Sequence, residues 1–181
     1  MKSKIRIIQG FPKAGVEFLD ITTLLKDAEA FDAVLENLAQ VVTPLKPDFI
    51  AGIESRGFIF GAALAARLNA GFVPIRKKGK LPAKTLSKSY SLEYGSDTIE
   101  IHADAFNKGF GENEVVLQNP RVVLVDDLIA TGGTAAAAAE LIRQMGAKLL
   151  LSLFVIELEG LCAPQTKAQI GEFYSLLSFK A

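Results

Sequence analysis

The chain has 181 residues, half of them apolar, and 20 basic side chains balance 20 acidic ones. That length suffices for one domain with a sizeable core, and zero net charge gives no general attraction to nucleic acid or membranes. A single cysteine, Cys162, excludes an intramolecular disulfide, and with a single histidine, His102, it argues against a Cys/His metal site. No apolar run is as long as a membrane span, and the basic N-terminus lacks a hydrophobic signal core. We expect one soluble, cytoplasmic domain over residues 1–181.

Predicted helices and strands alternate along much of the chain. In chain order they are a helix over residues 29–43, a strand over 48–53, a helix over 58–68, strands over 72–75 and 122–125, a helix over 134–145 and a strand over 148–156. The first helix is amphipathic, and two prolines end it. Alternation of this kind predicts an α/β fold with a mainly parallel sheet covered by helices on both faces.

Two stretches depart from this alternation. Residues 76–102 are basic at first and then contain two strand-like pieces, at 90–94 and 98–102. We interpret the stretch as a long excursion from the sheet that forms a mobile arm, since excursions of this length in compact domains are usually functional or disordered. Residues 106–118 predict an extended loop or a hairpin, to which no function is assigned.

The stretch 122–134 (VVLVDDLIATGGT) carries the strongest functional signal. A β-branched run typical of a central parallel strand is followed by Asp126 and Asp127, and ligands bind at the carboxyl ends of such strands. Small residues and hydroxyls then precede an alanine-rich helix, whose N-terminus favours an anion. The carboxylates suit hydroxyls or a metal, so the stretch predicts a sugar-phosphate site. The alternative is an ordinary strand–turn–helix with solvated aspartates.

A second strand–turn–helix contains Glu54, Ser55 and Arg56 and belongs on the same edge of the sheet. Arg56 can hold a phosphate by paired hydrogen bonds. A helix cap at Ser55 and a surface salt bridge at Arg56 are equally compatible with the sequence. Both interpretations stay open from these residues alone.

A third signal is the concentration of positive charge at residues 76–88, which hold six basic side chains and no acidic one. A local excess of this kind in a neutral protein indicates a local anion, and pyrophosphate is such a polyanion. The alternatives are a solvated flexible loop and a weak nucleic-acid patch. The absence of interleaved aromatic residues argues against the nucleic-acid patch.

Several of these motifs together resemble the type I phosphoribosyltransferase family. They are the aspartate pair with residues 130–134, residues 54–61 (ESRGFIFG), 76–82 (RKKGKLP), 90–95 (YSLEYG) and 11–21 (FPKAGVEFLDI). The second, third and fourth are similar to the adenine-specific branch. The resemblance implies the family's α/β fold, with a small N-terminal hood over about residues 1–25 and a mobile closing loop within 76–102. It also implies transfer of a phosphoribosyl group from phosphoribosyl pyrophosphate (PRPP) to adenine, which gives AMP and pyrophosphate.

The resemblance assigns roles residue by residue. Asp126 and Asp127 are expected to hold the ribose, and the 5′-phosphate loop consists of Ala130, Thr131, Gly132, Gly133 and Thr134. The expected pyrophosphate residues are Glu54, Ser55, Arg56, Lys77 and Lys80. Of these, Arg56, Lys77 and Lys80 are expected to stabilise the departing charge. The expected catalytic residues are Glu93, Asp127 and Arg56. Glu93 is expected to transfer a proton at the purine, and Tyr94 to close or orient the site.

The hood departs from the family pattern where adenine is expected to bind. Ala14, Glu17 and Leu19 replace a common proline, aliphatic and basic residue, while Phe18 is expected to pack on the purine. The adenine residues are thus Glu17, Phe18 and Leu19, with contacts largely through the main chain. The resemblance further implies a homodimer and Mg²⁺ held mainly by substrate and water. The alternatives are a transferase for another purine, such as hypoxanthine, guanine or xanthine, and a non-catalytic PRPP-binding regulator.

Overall fold

A seven-stranded sheet forms the centre of the fold in the computed structural model, which describes residues 1–91, 95–109 and 111–180. The elements in chain order are β1 (Arg6–Gln9), β2 (Glu17–Asp20), α1 (Thr22–Leu25), α2 (Ala28–Val42), β3 (Phe49–Ile53), α3 (Arg56–Leu68), β4 (Gly71–Lys77), β5 (Thr85–Ser91), β6 (Ser96–His102), β7 (Asn107–Lys108), β8 (Val115–Val116), β9 (Arg121–Ile129), α4 (Gly133–Gln144), β10 (Lys148–Glu159), α5 (Pro164–Ile170) and β11 (Phe173–Lys180).

The strand order of the sheet is β11–β10–β9–β3–β4–β6–β5. The pairs from β11 to β4 are all parallel, whereas β6 runs antiparallel to both β4 and β5. The predicted strands all lie in this sheet. β11 was not among them, although it pairs with β10 along most of its length.

Side chains on the two faces of the sheet pack against different helices. On one face, Ile50 and Val123 join the buried residues of α2 and α3, such as Phe60. On the other face, Ala51 and Leu124 join the alanine-rich side of α4. Alternate residues of a strand point to opposite faces, and a central strand is therefore apolar throughout. The predicted α/β architecture with helices on both faces is confirmed.

The helices of the two crossovers β3–α3–β4 and β9–α4–β10 pack on opposite faces of the sheet. From β3 the chain moves to the neighbouring strand on one side, and from β9 it moves to the neighbouring strand on the other side. The gap between β3 and β9 is thus a topological switch point, where ligands bind in open α/β sheets. Pairing of these strands ends at Gly52 and Val125. β9 nevertheless continues to Ile129, because β10 still holds its other edge. The prediction that the strand ends at residue 125 was wrong: the aspartate pair lies inside β9, where one neighbour has been lost.

Residues 85–102 belong largely to the sheet, and the interpretation of 76–102 as an excursion from it was wrong for this part. β5 and β6 form a hairpin, and β6 joins β4 through the pairs Arg76–Glu100 and Lys77–Ile99. Ile99 and Ile101 are buried in the core, which explains why the hairpin stays on the sheet. Residues 90 and 91 of the predicted strand-like piece at 90–94 form the end of β5, and residues 92–94 lie outside the described part of the chain.

Two smaller sheets stand apart from the central one. β1 and β2 form an antiparallel pair at the N-terminus, where the hood was predicted. Hydrogen bonds from the Thr22 side chain, from Arg6 and from the Thr22 backbone lower the pKa of the Asp20 carboxyl there to about 2. β7 and β8 form a short hairpin, one of the two forms predicted for residues 106–118. None of the described helices has the length and apolar character needed to cross a membrane.

Candidate active site

Asp126 and Asp127 stand side by side at the switch point. The backbone N–H of Asp127 donates to Oδ1 of Asp126 over 2.8 Å, so the first carboxylate is fixed by its neighbour's backbone. Gly57, in the first turn of α3, lies against the same carboxylate: a Cβ on this glycine would come within 2.8 Å of Asp126 Oδ1. The close approach of α3 to β9 therefore requires glycine at this position.

The two carboxyls differ in their partners. Burial, followed by the charge of Asp127, raises the pKa of Asp126 well above its usual range. Burial also raises the pKa of Asp127, although the Arg56 guanidinium opposes this shift. Nη2 of Arg56 forms an ion pair with Oδ2 of Asp127 at 2.8 Å, and this oxygen accepts no hydrogen bond from the described residues. A buried acceptor of this kind suits a hydroxyl donor on a ligand.

The loop at 130–134 connects β9 to α4 and lines, with Asp126, a hollow of about 210 Å³. Gly132 is the N-cap residue of α4 and has φ +82°, a conformation that favours glycine. The first N–H groups of the twelve-residue helix α4 have no partner within the helix, so this end favours an anion. Behind the loop, Cys162, Thr166 and Ile170 pack against Gly132 and fix its position.

The turn at Glu54 and Ser55 leads from β3 into α3 and contains a cis peptide bond between these two residues. The carboxylate of Glu54 accepts from Nε of Arg76 and from the Lys77 backbone N–H, each over 3.1 Å. Burial raises the pKa of Glu54, but these hydrogen bonds outweigh burial, so its pKa is lowered overall. Ser55 is the N-cap residue of α3, yet its side chain makes no capping hydrogen bond. Its exposed hydroxyl thus lies free of the cap that the alternative interpretation required.

The basic segment runs from the end of β4 towards β5, and its side chains have individual partners. Nζ of Lys77 lies 3.2 Å from Oδ2 of Asp97, which raises the pKa of this lysine. The backbone carbonyl of Lys80 accepts from Nη1 of Arg76 over 3.1 Å, and the same Arg76 donates to Glu54. Lys77, at the end of β4, and Lys80, in the turn that follows, therefore lie near the turn at residue 54.

The hood meets the site through an aromatic pair and an arginine. The rings of Phe11 and Phe18 make an edge contact with centroids 5.1 Å apart, and the Arg56 guanidinium lies 5.6 Å from the Phe18 ring. Glu17 is exposed and accepts a hydrogen bond from Gln9. The side chain of Leu19 is buried in the core, and its backbone lies in β2, opposite Ile7 of β1. Among the three predicted adenine residues, Phe18 alone has a side chain directed at Arg56.

The structure thus brings Arg56, Asp126, Asp127 and the 130–134 loop to one edge of the sheet, with Glu54 and the basic segment beside them. Glu93 and Tyr94 lie outside the described residues. The sequence interpretation missed Glu100, which is 5 % exposed and hydrogen-bonds to the basic segment. A signal was present: this acidic residue stands between two isoleucines, in a strand that follows the basic run.

Comparisons with known proteins agree with this geometry. Residues 20–165 match the family model described as a phosphoribosyl transferase domain. The match covers most of the chain, including both strand–turn–helix units and the loop at 130–134. The chain belongs to the phosphoribosyltransferase family, as its sequence motifs predicted.

Similar proteins within the family share one base specificity in their names. An adenine phosphoribosyltransferase from Campylobacter hominis is 53 % identical over 97 % of this chain and 92 % of its own length. The crystal structure of the enzyme of this name from Thermoanaerobacter pseudethanolicus has a TM-score of 0.87 and 49 % identity, covering 98 % of this chain and 97 % of that one. The Saccharomyces cerevisiae adenine phosphoribosyltransferase, solved with an imino-altritol bisphosphate and adenine, has a TM-score of 0.84 and 37 % identity, with 97 % and 96 % covered. All three are adenine phosphoribosyltransferases.

Proposed function

We propose that this chain transfers the 5-phosphoribosyl group of PRPP to adenine, giving AMP and pyrophosphate, as purine salvage requires. The observation that carries this proposal is the pair Asp126 and Asp127 at the switch point, beside the hollow of the 130–134 loop. Carboxylates accept from the two ribose hydroxyls, and the start of α4 binds the 5′-phosphate. The ribose hydroxyls and the 5′-phosphate therefore each have a complementary binding group at the carboxyl edge of the sheet.

In the proposed reaction, adenine N9 attacks ribose C1 while the bond from C1 to the pyrophosphate oxygen breaks. The bonding electrons leave with pyrophosphate, and the ribose passes through a state with oxocarbenium character. Asp126 and Asp127 hold the ribose in the orientation this displacement needs. Arg56, Lys77 and Lys80 stabilise the charge on the departing group, and Glu54 and Ser55 shape the turn against which it lies.

At the base end, we propose that adenine lies against the hood segment that contains Glu17, Phe18 and Leu19. Phe18, whose ring lies near the Arg56 guanidinium, is proposed to pack on the purine, and Leu19, whose side chain is buried, is proposed to contact it through the main chain. Glu93 is proposed, from the family resemblance, to accept the proton that adenine N9 releases. Tyr94 is proposed to close the site, so that water is kept from PRPP.

We further propose that Mg²⁺ accompanies PRPP. Among the described residues, no group of three or more His, Cys, Asp or Glu side chains could hold a metal. An ion that keeps several waters and binds the substrate's own oxygens needs few protein ligands. Asp126 and Asp127 offer carboxylate oxygens of the kind that such an ion binds, but Oδ2 of Asp127 already faces the Arg56 guanidinium at 2.8 Å, so substrate and water are proposed as the main ligands. When bound, Mg²⁺ offsets charge on the pyrophosphate. A homodimeric state and a cytoplasmic location are proposed from the family resemblance.

The test is AMP formation from adenine, PRPP and Mg²⁺, with hypoxanthine, guanine and xanthine in parallel reactions and EDTA in a further one. We expect AMP from adenine alone, and we expect chelation to abolish it. Turnover with another purine would instead assign the enzyme to that base and would implicate Glu17 and Leu19 in the change. PRPP binding by calorimetry without turnover of any base would indicate a regulator. Gel filtration with light scattering tests the dimer.

A further inference from the structure

The turn that follows β4 is organised around one buried carboxylate. Oε1 of Glu100 accepts hydrogen bonds from three consecutive backbone N–H groups, those of Gly79 at 3.0 Å and of Lys80 and Leu81 at 3.2 Å. Its second oxygen lies 3.5 Å from the Thr85 hydroxyl. With 5 % of its surface exposed, Glu100 is one of the few buried charged residues of this protein.

This arrangement determines which way the turn presents its groups. Three successive N–H groups that converge on one point form the kind of nest that binds anions. Here the nest is filled from inside by a side chain of β6, so the N–H groups face the sheet. The lysine side chains at 77, 78 and 80 are all exposed and remain on the outer side of the turn. The backbone of the turn is therefore not available to a phosphate, whereas its cationic side chains are.

We propose that Glu100 is a positioning residue for pyrophosphate recognition: by holding the N–H groups of residues 79–81 it fixes Lys80, whose carbonyl accepts from the Arg76 that pairs with Glu54. The inference rests on the proposed function, because it concerns the pyrophosphate end of that site. Glu100 does not touch the ligand in this scheme. It acts through the turn, because its carboxylate occupies the position among the N–H groups of residues 79–81 where a ligand anion would otherwise bind.

Two possible roles of Glu100 predict opposite changes in pyrophosphate affinity when its charge is removed. If Glu100 acted only as a negative charge near an anion site, its neutralisation would strengthen pyrophosphate binding, since like charges repel. If it positions the turn, neutralisation weakens binding, because a neutral amide oxygen is a poorer acceptor than a carboxylate for three N–H groups. The sign of the change in a folded variant therefore separates the two, and an unchanged KM for adenine distinguishes positioning from a general loss of folding.

The experiment compares Glu100→Gln with Glu172→Gln, which removes the same charge from an exposed site. Calorimetry with pyrophosphate and Mg²⁺, and steady-state kinetics with PRPP and adenine, are run on both full-length variants. For Glu100→Gln we expect pyrophosphate affinity to fall roughly tenfold, as the loss of about one charge-assisted hydrogen bond gives, with the KM for adenine unchanged. For Glu172→Gln we expect values like those of the unaltered protein.

Gly79→Ala provides a second route to the same turn if Glu100→Gln folds poorly. Gly79 has φ +80° and open space around its Cβ position, so alanine strains the turn without a clash. We expect the same selective loss of pyrophosphate affinity. Unchanged or tighter pyrophosphate binding by folded Glu100→Gln or Gly79→Ala would overturn this inference alone. Absence of both pyrophosphate and PRPP binding in the unaltered protein would overturn the proposed function, and this inference with it.

Discussion

The two turns on either side of the switch point follow one plan, strand to turn to helix, but they are held by different forces. The turn at 54–56 is fixed by charge: Glu54 binds Arg76, and Arg56 lies 2.8 Å from a carboxylate oxygen of Asp127. The loop at 130–134 is fixed by shape, since Gly132 has a positive φ and packs on Cys162. The first turn should therefore respond to charge and pH, and the second to side-chain volume.

This difference matches the parts of PRPP that the two turns are proposed to bind. Pyrophosphate leaves during the reaction. The turn at 54–56 therefore needs cationic side chains that can pair with pyrophosphate when it is bound and with protein carboxylates when it is absent. The 5′-phosphate stays on the ribose throughout, so its loop needs a fixed set of N–H groups. A packed loop keeps those groups oriented without reorganisation.

Gly132→Ala should have the largest effect on PRPP affinity, because it adds a side chain within the packed loop itself. The new Cβ would lie 2.8 Å from Cys162 Sγ, in a conformation unfavourable for alanine. We expect PRPP affinity to fall more than about a hundredfold and the free energy of unfolding to fall by about 1–3 kcal/mol. Calorimetry and denaturant unfolding measure the two. Gly146→Ala is the matched control, since its φ is +74° with no atom near its Cβ position. Equal PRPP losses in both would contradict the role of shape.

Asp127→Asn should follow, with a loss of roughly 100-fold in kcat/KM and little change in the midpoint of unfolding. The amide keeps the shape of the carboxyl but removes the charge that faces Arg56 and weakens acceptance from ribose hydroxyls. Steady-state kinetics with PRPP measure the loss. Asp104→Asn, in an exposed turn, is the control. Kinetics of Asp127→Asn like those of the unaltered protein would refute the ribose role.

Glu54→Gln should reduce PRPP affinity by about tenfold and should also change the response to acid. The pKa of Glu54 is lower in the folded protein than its ordinary value of 4.5. Its contribution to stability is therefore complete above that value and is lost as the pH falls through the lowered pKa. Unfolding followed from about pH 6 to about pH 3 should show a smaller loss for the variant than for the unaltered protein. Parallel curves would show that the Arg76 pair contributes nothing.

Cys162→Ser should have the smallest effect, because it alters the support of the loop and not the loop itself. Burying a hydroxyl in place of the thiol should cost about 1 kcal/mol of stability and change PRPP affinity by no more than about threefold. Thermal unfolding and calorimetry measure these values, and Cys162→Ala separates lost volume from added polarity. A loss as large as that of Gly132→Ala would show that the support, not the glycine, dominates.

Much of the fold and of the candidate site followed from local patterns. The apolar run of β9, the two aspartates and the small residues at 130–134 are contiguous. One stretch of sequence therefore contains a strand, the aspartates that are proposed to bind ribose, and a helix N-terminus. The same holds for the turn at 54–56. The end of β9 was less predictable, because it depends on β10 continuing after β3 has turned away.

The sequence by itself determined the α/β class and the family, and it supplied the motifs that are proposed to bind phosphate and ribose, because these depend on neighbours along the chain. Only the tertiary structure decided that Arg56 meets Asp127, that Phe18 and not Leu19 faces outward in the hood, and that Glu100 holds the turn at 79–81. Each of these depends on strand register or on a helix meeting a strand more than fifteen residues away. The placement of Glu100 between two isoleucines indicated a buried carboxylate, but its partners could not be identified, since they are N–H groups that every residue except proline carries.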